Sequence, residues 1–218
     1  MLTRTEENYL KAIYKVSERE NGKVNTNAIA SITLTSAASV TDMLKRLAEK
    51  ELILYQKYKG VTLTKSGGKI ATDLIRRHRL WEYFLVEKLD FSWADVHDIA
   101  EELEHVPSDI LIEKLDSFLG HPKYDPHGDP IPNSKGKFTI RAQSSLSSFD
   151  IGKKGTLLGV KEHNKDFLEY LNKLKISPGS ELEIVEKNSY DGSMMIKING
   201  VSEHLISEKV SKNLLIKS

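Results

Sequence analysis

The apolar residues of this chain change period past the middle, and that change fixes the class of fold open to it. As far as residue 119, one short hairpin-like stretch over 52–64 apart, they recur every three to four positions, the spacing of amphipathic helices. From residue 155 they alternate in short runs cut by Pro178-Gly179, Asp191-Gly192 and Asn199-Gly200, as strands joined by tight turns do. Four of the six prolines lie between residues 122 and 132, and Ser144-Ser145-Leu146-Ser147-Ser148 follows, which reads as an extended, irregular connector. The expectation is a mainly α chain with β: helical units first, a linker, then a small antiparallel barrel. With no cysteine among 218 residues, disulfide scaffolds, Cys-ligated zinc, iron–sulfur clusters and thiol catalysis are excluded. No apolar run approaches the roughly 20 residues of a membrane helix, and the first residues lead into no signal-peptide core. A soluble, cytoplasmic protein with no membrane association is expected.

Residues 1–72 subdivide further. Thr3-Arg4-Thr5-Glu6 has the form of a capping box, followed by Tyr9, Leu10, Ile13, Tyr14 and Val16 at helical spacing. Asn25 or Thr26 can cap a short helix carrying Ile29 and Ile32. Thr35 or Ser36 can cap a third that buries Val40, Met43, Leu44 and Leu47. Two short helices in succession, the second amphipathic, suit a helix-turn-helix. The outward face of the third helix presents Ser36, Ala37, Ser39, Thr41, Asp42, Lys45 and Arg46. Small residues near its start let backbone approach base edges, and the hydroxyls and cations reach phosphates. Leu52-Ile53-Leu54-Tyr55 and Val61-Thr62-Leu63-Thr64 then read as a hairpin whose tip carries Lys57, Tyr58 and Lys59, the wing of a winged helix. The ensemble points to double-stranded DNA as partner.

Formal net charge is +1, but the sum hides unlike parts. Residues 1–72 hold 12 Lys and Arg against 7 Asp and Glu, whereas residues 73–140 hold 8 against 14 and five of the seven histidines. A basic start suits a polyanion, and acid with histidine but without cysteine suits a hard or borderline cation; ordinary solvated surface is the bland alternative. Thr64 can cap a helix after Gly67-Gly68 that runs through Leu74 and Trp81 and sets His78 and Glu82 one turn apart. Ser92-Trp93-Ala94-Asp95 is a second capping box. The helix it opens is expected to stack His97, Glu101, Glu104 and His105 on one face over about three turns. Glu101 and Glu104 repel there unless a divalent cation accepts both; the alternative is a solvated stripe with weak His–Glu contacts. Ser108 can cap a further helix. Trp81, Phe84 and Phe118 exceed what one small core needs, which suggests a dimer interface.

Glu7-Asn8-Tyr9-Leu10, Ala38 to Leu44, Arg77-His78-Arg79-Leu80, Val96-His97-Asp98 and Glu104-His105 together resemble the metal-dependent repressors typified by diphtheria toxin repressor and the manganese transport regulator. The likeness covers residues 1–140 and, more loosely, 150–218. It implies a winged helix-turn-helix over 1–72, a helical dimerisation and metal domain with the Pro-rich linker over 73–140, and an SH3-like domain over 150–218. It also implies a homodimer that binds promoter DNA when loaded with Mn²⁺ or Fe²⁺ and represses metal-uptake genes, with no catalytic residue and no organic cofactor. Carried over by position, a primary site comprises Asn8, His78, Glu101, Glu104 and His105, with Glu7 an alternative to Asn8. Glu101 replaces the cysteine of iron-responsive relatives and favours Mn²⁺, and Lys11 stands where some relatives hold an acidic ligand for a second manganese. An ancillary site comprises Glu82 and His97, with Asp125 and His127 from the linker and Asp166 or His163 from the last domain.

Past the linker, strands are expected over Gly155 to Val160, Glu181 to Val185, Met194 to Ile198, Val201 to Ile206 and Val210 to Ile216, with a short helix from Asp166 to Leu171. Met194-Met195 reads as core rather than as a soft-metal site. Two other functions stay open on the residues: a winged helix sensing an organic ligand, and a metal-dependent hydrolase with Glu101 or Glu104 as general base on metal-bound water.

Overall fold

The computed structural model describes residues 2–19, 24–56 and 60–217. The chain divides into two compact units. The first gathers Met1–His78, Leu103–Ser108 and Pro132–Phe138, and the second Arg79–Glu102, Asp109–Ile131 and Thr139–Ser218. The middle segment is thereby shared between the two.

In the first unit, helix α1 (Arg4–Arg19) begins at the expected capping box: Glu6 N donates to Thr3 Oγ1 (3.2 Å) and Thr3 N to Glu6 Oε2 (3.0 Å). Asn25 caps α2 (Thr26–Thr33) and Ser36 caps α3 (Ala37–Glu49), each by accepting from the backbone three residues on. Between these helices the chain turns through Leu34 at φ 51°. Leu10, Ile13, Ile29, Val40, Leu44 and Leu47 are fully buried together, worth roughly 1.5–3 kcal/mol apiece in water exclusion. Strands β1 (Ile53–Gln56) and β2 (Gly60–Leu63) pair antiparallel as the wing. Lys57, Tyr58 and Lys59 at its tip lie outside the described residues.

Helix α4 (Lys65–Leu89) starts earlier than its glycines suggest. Thr64 Oγ1 accepts from Gly67 N (3.1 Å), so Gly67 and Gly68 lie inside the first turns. The reason is packing: a Cβ on Gly67 would sit 2.0 Å from the Leu52 carbonyl oxygen.

In the second unit, α5 (Val96–Leu103) and α6 (Asp109–Phe118) follow α4, and Leu80, Ile112, Leu115, Leu119 and Ile131 form a small core. Trp81, Phe84 and Phe118 form a ring cluster beside it, with Phe118 66% exposed. Ser92-Trp93-Ala94-Asp95 makes a turn rather than the first turn of the helix, and α5 ends at Leu103. The cause of that end is Val106-Pro107: proline lacks an N–H and disfavours helix in the residue before it. The expected three-turn stripe from His97 to His105 is therefore cut short.

The C-terminal part is a six-stranded antiparallel sheet in the order β3-β8-β4-β5-β6-β7. Its strands are β3 (Ser144–Ser145), β4 (Lys154–Val160), β5 (Glu181–Lys187), β6 (Met194–Ile198), β7 (Ser202–Ile206) and β8 (Leu214–Lys217), with α7 (Lys165–Lys173) between β4 and β5. Val210 to Asn213 is not strand. Ser207 caps a helix there, α8 (Glu208–Asn213), by accepting from Val210 N (3.3 Å), and only Leu214 onward pairs with β4. Met194 is buried in the core with Leu157, Ile184, Ile196 and Trp93.

Candidate metal centres

Among the described residues, each unit holds a buried cluster of oxygen and nitrogen donors. The first joins α1 to the segment after α5. Ending α5 at Leu103 puts Glu104 and His105 in a turn, and the Glu104 side chain is completely buried. Its Oε1 accepts from Lys11 Nζ at 2.6 Å, and its Oε2 lies 2.6 Å from His78 Nδ1. His105 Nδ1 donates to Glu7 Oε2 at 2.6 Å, while its Nε2 is 3.7 Å from Glu104 Oε1. Glu104 Oε2 and Asn8 Oδ1 are both buried oxygens with no hydrogen-bond donor. Two buried acceptors left unsatisfied beside imidazole nitrogens are costly unless a cation takes them. The residues fit a divalent ion on this ground. Glu101 lies on α5 in the second unit, its Oε1 3.9 Å from His97 Nε2.

The second cluster is within the second unit. Glu82 on α4 meets Asp125 and His127 of the 123–131 loop, all three buried, with donor atoms within 4.8 Å of one another. Glu82 Oε1 also accepts from His97 Nδ1 at 3.3 Å, and Glu82 Oε2 is 3.7 Å from His127 Nδ1. His127 Nε2 donates to the Trp93 carbonyl (2.7 Å), which turns Nδ1 toward Glu82. Burial, with the charges of Asp129 and Glu82, pushes the Asp125 carboxyl up to about 7. Burial lowers His127, but the Glu82 carboxylate, Asp125 and the Trp93 carbonyl outweigh it and carry the imidazole to about 9. Buried carboxylates brought this close to one another need positive charge, which a cation would supply. Arg79 supplies part of it, with Nε 3.4 Å from Asp125 Oδ2 and Nη2 2.8 Å from Asp129 Oδ2. From the C-terminal domain His163 stacks on His127 at 4.9 Å; burial holds its imidazole below the usual range. Asp166 is exposed on the first turn of α7 and joins no such cluster among the described residues.

Ser36, which caps α3, and Ala37, Ser39, Asp42, Lys45 and Arg46 on it are exposed. Part of this polar face is internally engaged: Thr41 is half-buried and bonds the Ala37 carbonyl, and Lys45 pairs with Asp42 at 3.2 Å. Leu34, 91% exposed just ahead of α3, is an apolar addition that helical periodicity does not disclose.

Residues 1–61 match the family model for the iron dependent repressor N-terminal DNA binding domain, and residues 64–133 that for its metal binding and dimerisation domain. Residues 144–218 match the FeoA domain. The transcriptional regulator MntR of Bacillus pumilus is 35% identical over 115 residues, which are 53% of this chain and 78% of that protein. The chain belongs to the iron-dependent repressor family. A solved structure of a manganese-dependent transcriptional repressor in complex with manganese is 32% identical to this family member. It covers 98% of this chain and 99% of its own, at a TM-score of 0.84. A probable metal transport system membrane protein of Chlamydia trachomatis is 47% identical over 76 residues, but the chain spans only 17% of that protein's length, and 16% of its Chlamydia pneumoniae counterpart. Among the described residues of this repressor-family chain, no helix is long and apolar enough to cross a membrane.

Lys11 is the cluster residue whose part in the first site spacing could not give. It follows Leu10 on α1 as one charge among many, and only the fold reveals that its ammonium is buried on Glu104.

Proposed function

We propose that this chain is a transcriptional repressor that binds promoter DNA as a metal-loaded homodimer and controls metal-uptake genes. The observation that carries the reading is the first cluster, because its donors come from two places at once. Glu7 and Asn8 sit on α1, which packs through Tyr9, Leu10 and Ile13 into the core of the DNA-binding unit; Glu104 and His105 come from the segment after α5. Asn8, His78, Glu104 and His105 would hold the ion, with Glu101, three and four residues before the last two, completing the set. When bound, the divalent cation supplies the positive charge that the unsatisfied oxygens of Asn8 and Glu104 require.

The chain's own residues do the rest. Lys11 neutralises Glu104 Oε1 and leaves Oε2 facing His78. Glu7 fixes the His105 ring through Nδ1, so that Nε2 points at Glu104. Fastening α1 orders the helices behind it and presents the exposed face of α3 to a major groove. Two protomers reading successive grooves lie about 34 Å apart along the duplex. The exposed Phe118 with Phe84 and Trp81, in the segment matched by the dimerisation model, supports the homodimer. All-oxygen and nitrogen donors, in a chain without cysteine, make a hard site that suits Mn²⁺, with Fe²⁺ as the alternative, since raw affinity rises from Mn²⁺ to the later metals. The second cluster, Glu82, His97, Asp125 and His127, is read as an ancillary site of the same kind. No side chain is assigned a catalytic role and no organic cofactor is required; duplex DNA as partner implies the cytoplasm.

The test is fluorescence anisotropy on a duplex selected from random sequence by the Mn²⁺-loaded chain. Glu104→Gln and His105→Ala are expected to lose the Mn²⁺-dependent part of the affinity. Undiminished Mn²⁺ response in both variants would overturn the reading.

A further inference from the structure

The 123–131 loop that carries Asp125 and His127 is closed by its own backbone. Asp125 N donates to the Asp129 carbonyl (2.9 Å), Ile131 N to the Lys123 carbonyl (2.8 Å), and Asp125 Oδ1 accepts from His127 N and Asp129 N. That closure shapes the loop but does not aim the imidazole. What aims it is a crossing of two backbones. Val160 N of β4 donates to the His127 carbonyl at 2.9 Å. A Cβ on Gly159 would lie 2.2 Å from that same oxygen and 2.6 Å from Gly128 Cα. A Cβ on Gly128, at φ +92°, would lie 2.5 Å from the Leu158 carbonyl oxygen. Neither position tolerates a side chain, and each is glycine; a glycine inside a strand often marks such a close approach.

The pairing of β4 with β8 shifts register between Leu157 and Gly159, so Leu158 drops out of the ladder. Its carbonyl is taken up by Arg141 instead: Nη2 donates to Leu158 O at 2.8 Å and to Gly128 O at 3.2 Å. The guanidinium lies 3.8 Å above the Tyr124 ring, which fixes its plane. One cation thus bonds a carbonyl of the loop and a carbonyl of the strand, next to the residue whose imidazole enters the cluster.

We propose that Arg141 and the Gly128–Gly159 crossing are the positioning device of the second cluster, making its affinity for a divalent cation depend on β4 being docked against the 123–131 loop. The proposal rests on the reading of Glu82, Asp125 and His127 as a cation site. Arg141 is a positioning residue and touches no donor atom of the cluster. Its effect passes through the His127 backbone to a ring on which the Trp93 and His163 rings stack, at 5.9 and 4.9 Å. By linkage, a cation in the cluster must strengthen the docking of β4 by the same factor by which docking strengthens the cation.

Trp93 makes the test direct, since its ring stacks on His127 and Mn²⁺ quenches nearby emission through its unpaired electrons. In the full chain carrying Trp81→Phe, Trp93 is the sole tryptophan. Titration with Mn²⁺ is expected to quench its emission, and His127→Ala to abolish that quenching. Arg141→Ala is expected to weaken the titration roughly tenfold, the scale of a lost outer contact to a metal ligand. The metal-free emission spectrum and Mn²⁺ binding at the first cluster should stay unchanged. If Arg141→Ala fails to fold, Tyr124→Leu, which removes only the ring beneath the guanidinium, carries the same expectation. Quenching that Arg141→Ala or its substitute leaves at wild-type Mn²⁺ concentrations overturns the positioning role alone. Absence of any quenching that depends on His127 overturns the cation site, and the proposal with it.

Discussion

Replacing Lys11 by methionine keeps an unbranched, apolar stem of nearly the same reach and removes its ammonium from Glu104. The two side chains are 6% and 0% exposed and 2.6 Å apart, so the Glu104 carboxylate would remain in the interior without that partner. Breaking a buried pair from one side costs about 3–5 kcal/mol. The first unit holds roughly ninety residues, and for a domain of that size each kcal/mol moves the melting midpoint by about 4–8 °C. Scanning calorimetry of the metal-free chain should therefore show the transition of that unit falling by at least about 12 °C in Lys11→Met. Saturating Mn²⁺ should more than halve the fall, because the cation then neutralises Glu104 in place of Lys11. An equal fall with and without Mn²⁺, or one below about 4 °C, would refute the view that Lys11 and the metal answer the same charge.

Three further outcomes are expected. Glu6 accepts from Lys50 Nζ at 2.6 Å and from Thr3 N, contacts that hold its carboxyl below the usual range. Its contribution is therefore present above the unfolded carboxyl pKa and lost as pH falls through the folded one. Glu6→Gln should cost about 1 kcal/mol at pH 7 and progressively less below pH 4.5, read by urea unfolding. Gly67→Ala, though alanine is the better helix former by about 1 kcal/mol, should destabilise the chain by a net 1–3 kcal/mol or so, since its Cβ meets the Leu52 carbonyl. Stabilisation in the same unfolding assay would contradict that packing. Arg79→Met removes charged bonds to Asp125 and Asp129 and should loosen the 123–131 loop, seen as faster amide exchange at Asp129 and Ile131. Unchanged exchange would show that the loop closes without Arg79.

Helix starts were legible because capping is local: Thr3 with Glu6, Asn25, Ser36 and Thr64 all act within three residues. The Met194–Ile198 strand was equally plain, bounded by two turn dipeptides. The end of α5 was misread because i,i+4 spacing extends a pattern past Leu103, whereas Pro107 stops the backbone. That misreading bears on the site, since Glu104 and His105 act from a turn rather than from one helix face. The sequence reads as strand from Val210 to Ile216, but Ser207 and Glu208 begin a helix that still packs the half-buried Val210 and buried Leu214 against the core. Arg141 and Gly159 were invisible as functional residues, and the resemblance marked the position of Lys11 but not its pairing with Glu104, because their partners lie 17, 32 and 93 positions away along the chain. Spacing rules reach four residues; a fold reaches the rest.

In the proposed function, a divalent cation in the first cluster raises affinity for DNA. The most direct measurement is the dissociation constant for the selected duplex at one fixed salt concentration, with Mn²⁺ and with chelator. A cation that favours the DNA-binding arrangement should tighten binding by about 5–150-fold, the range of ordinary allosteric coupling, and the dimer should be the species bound. The same constant in both solutions would contradict the claim.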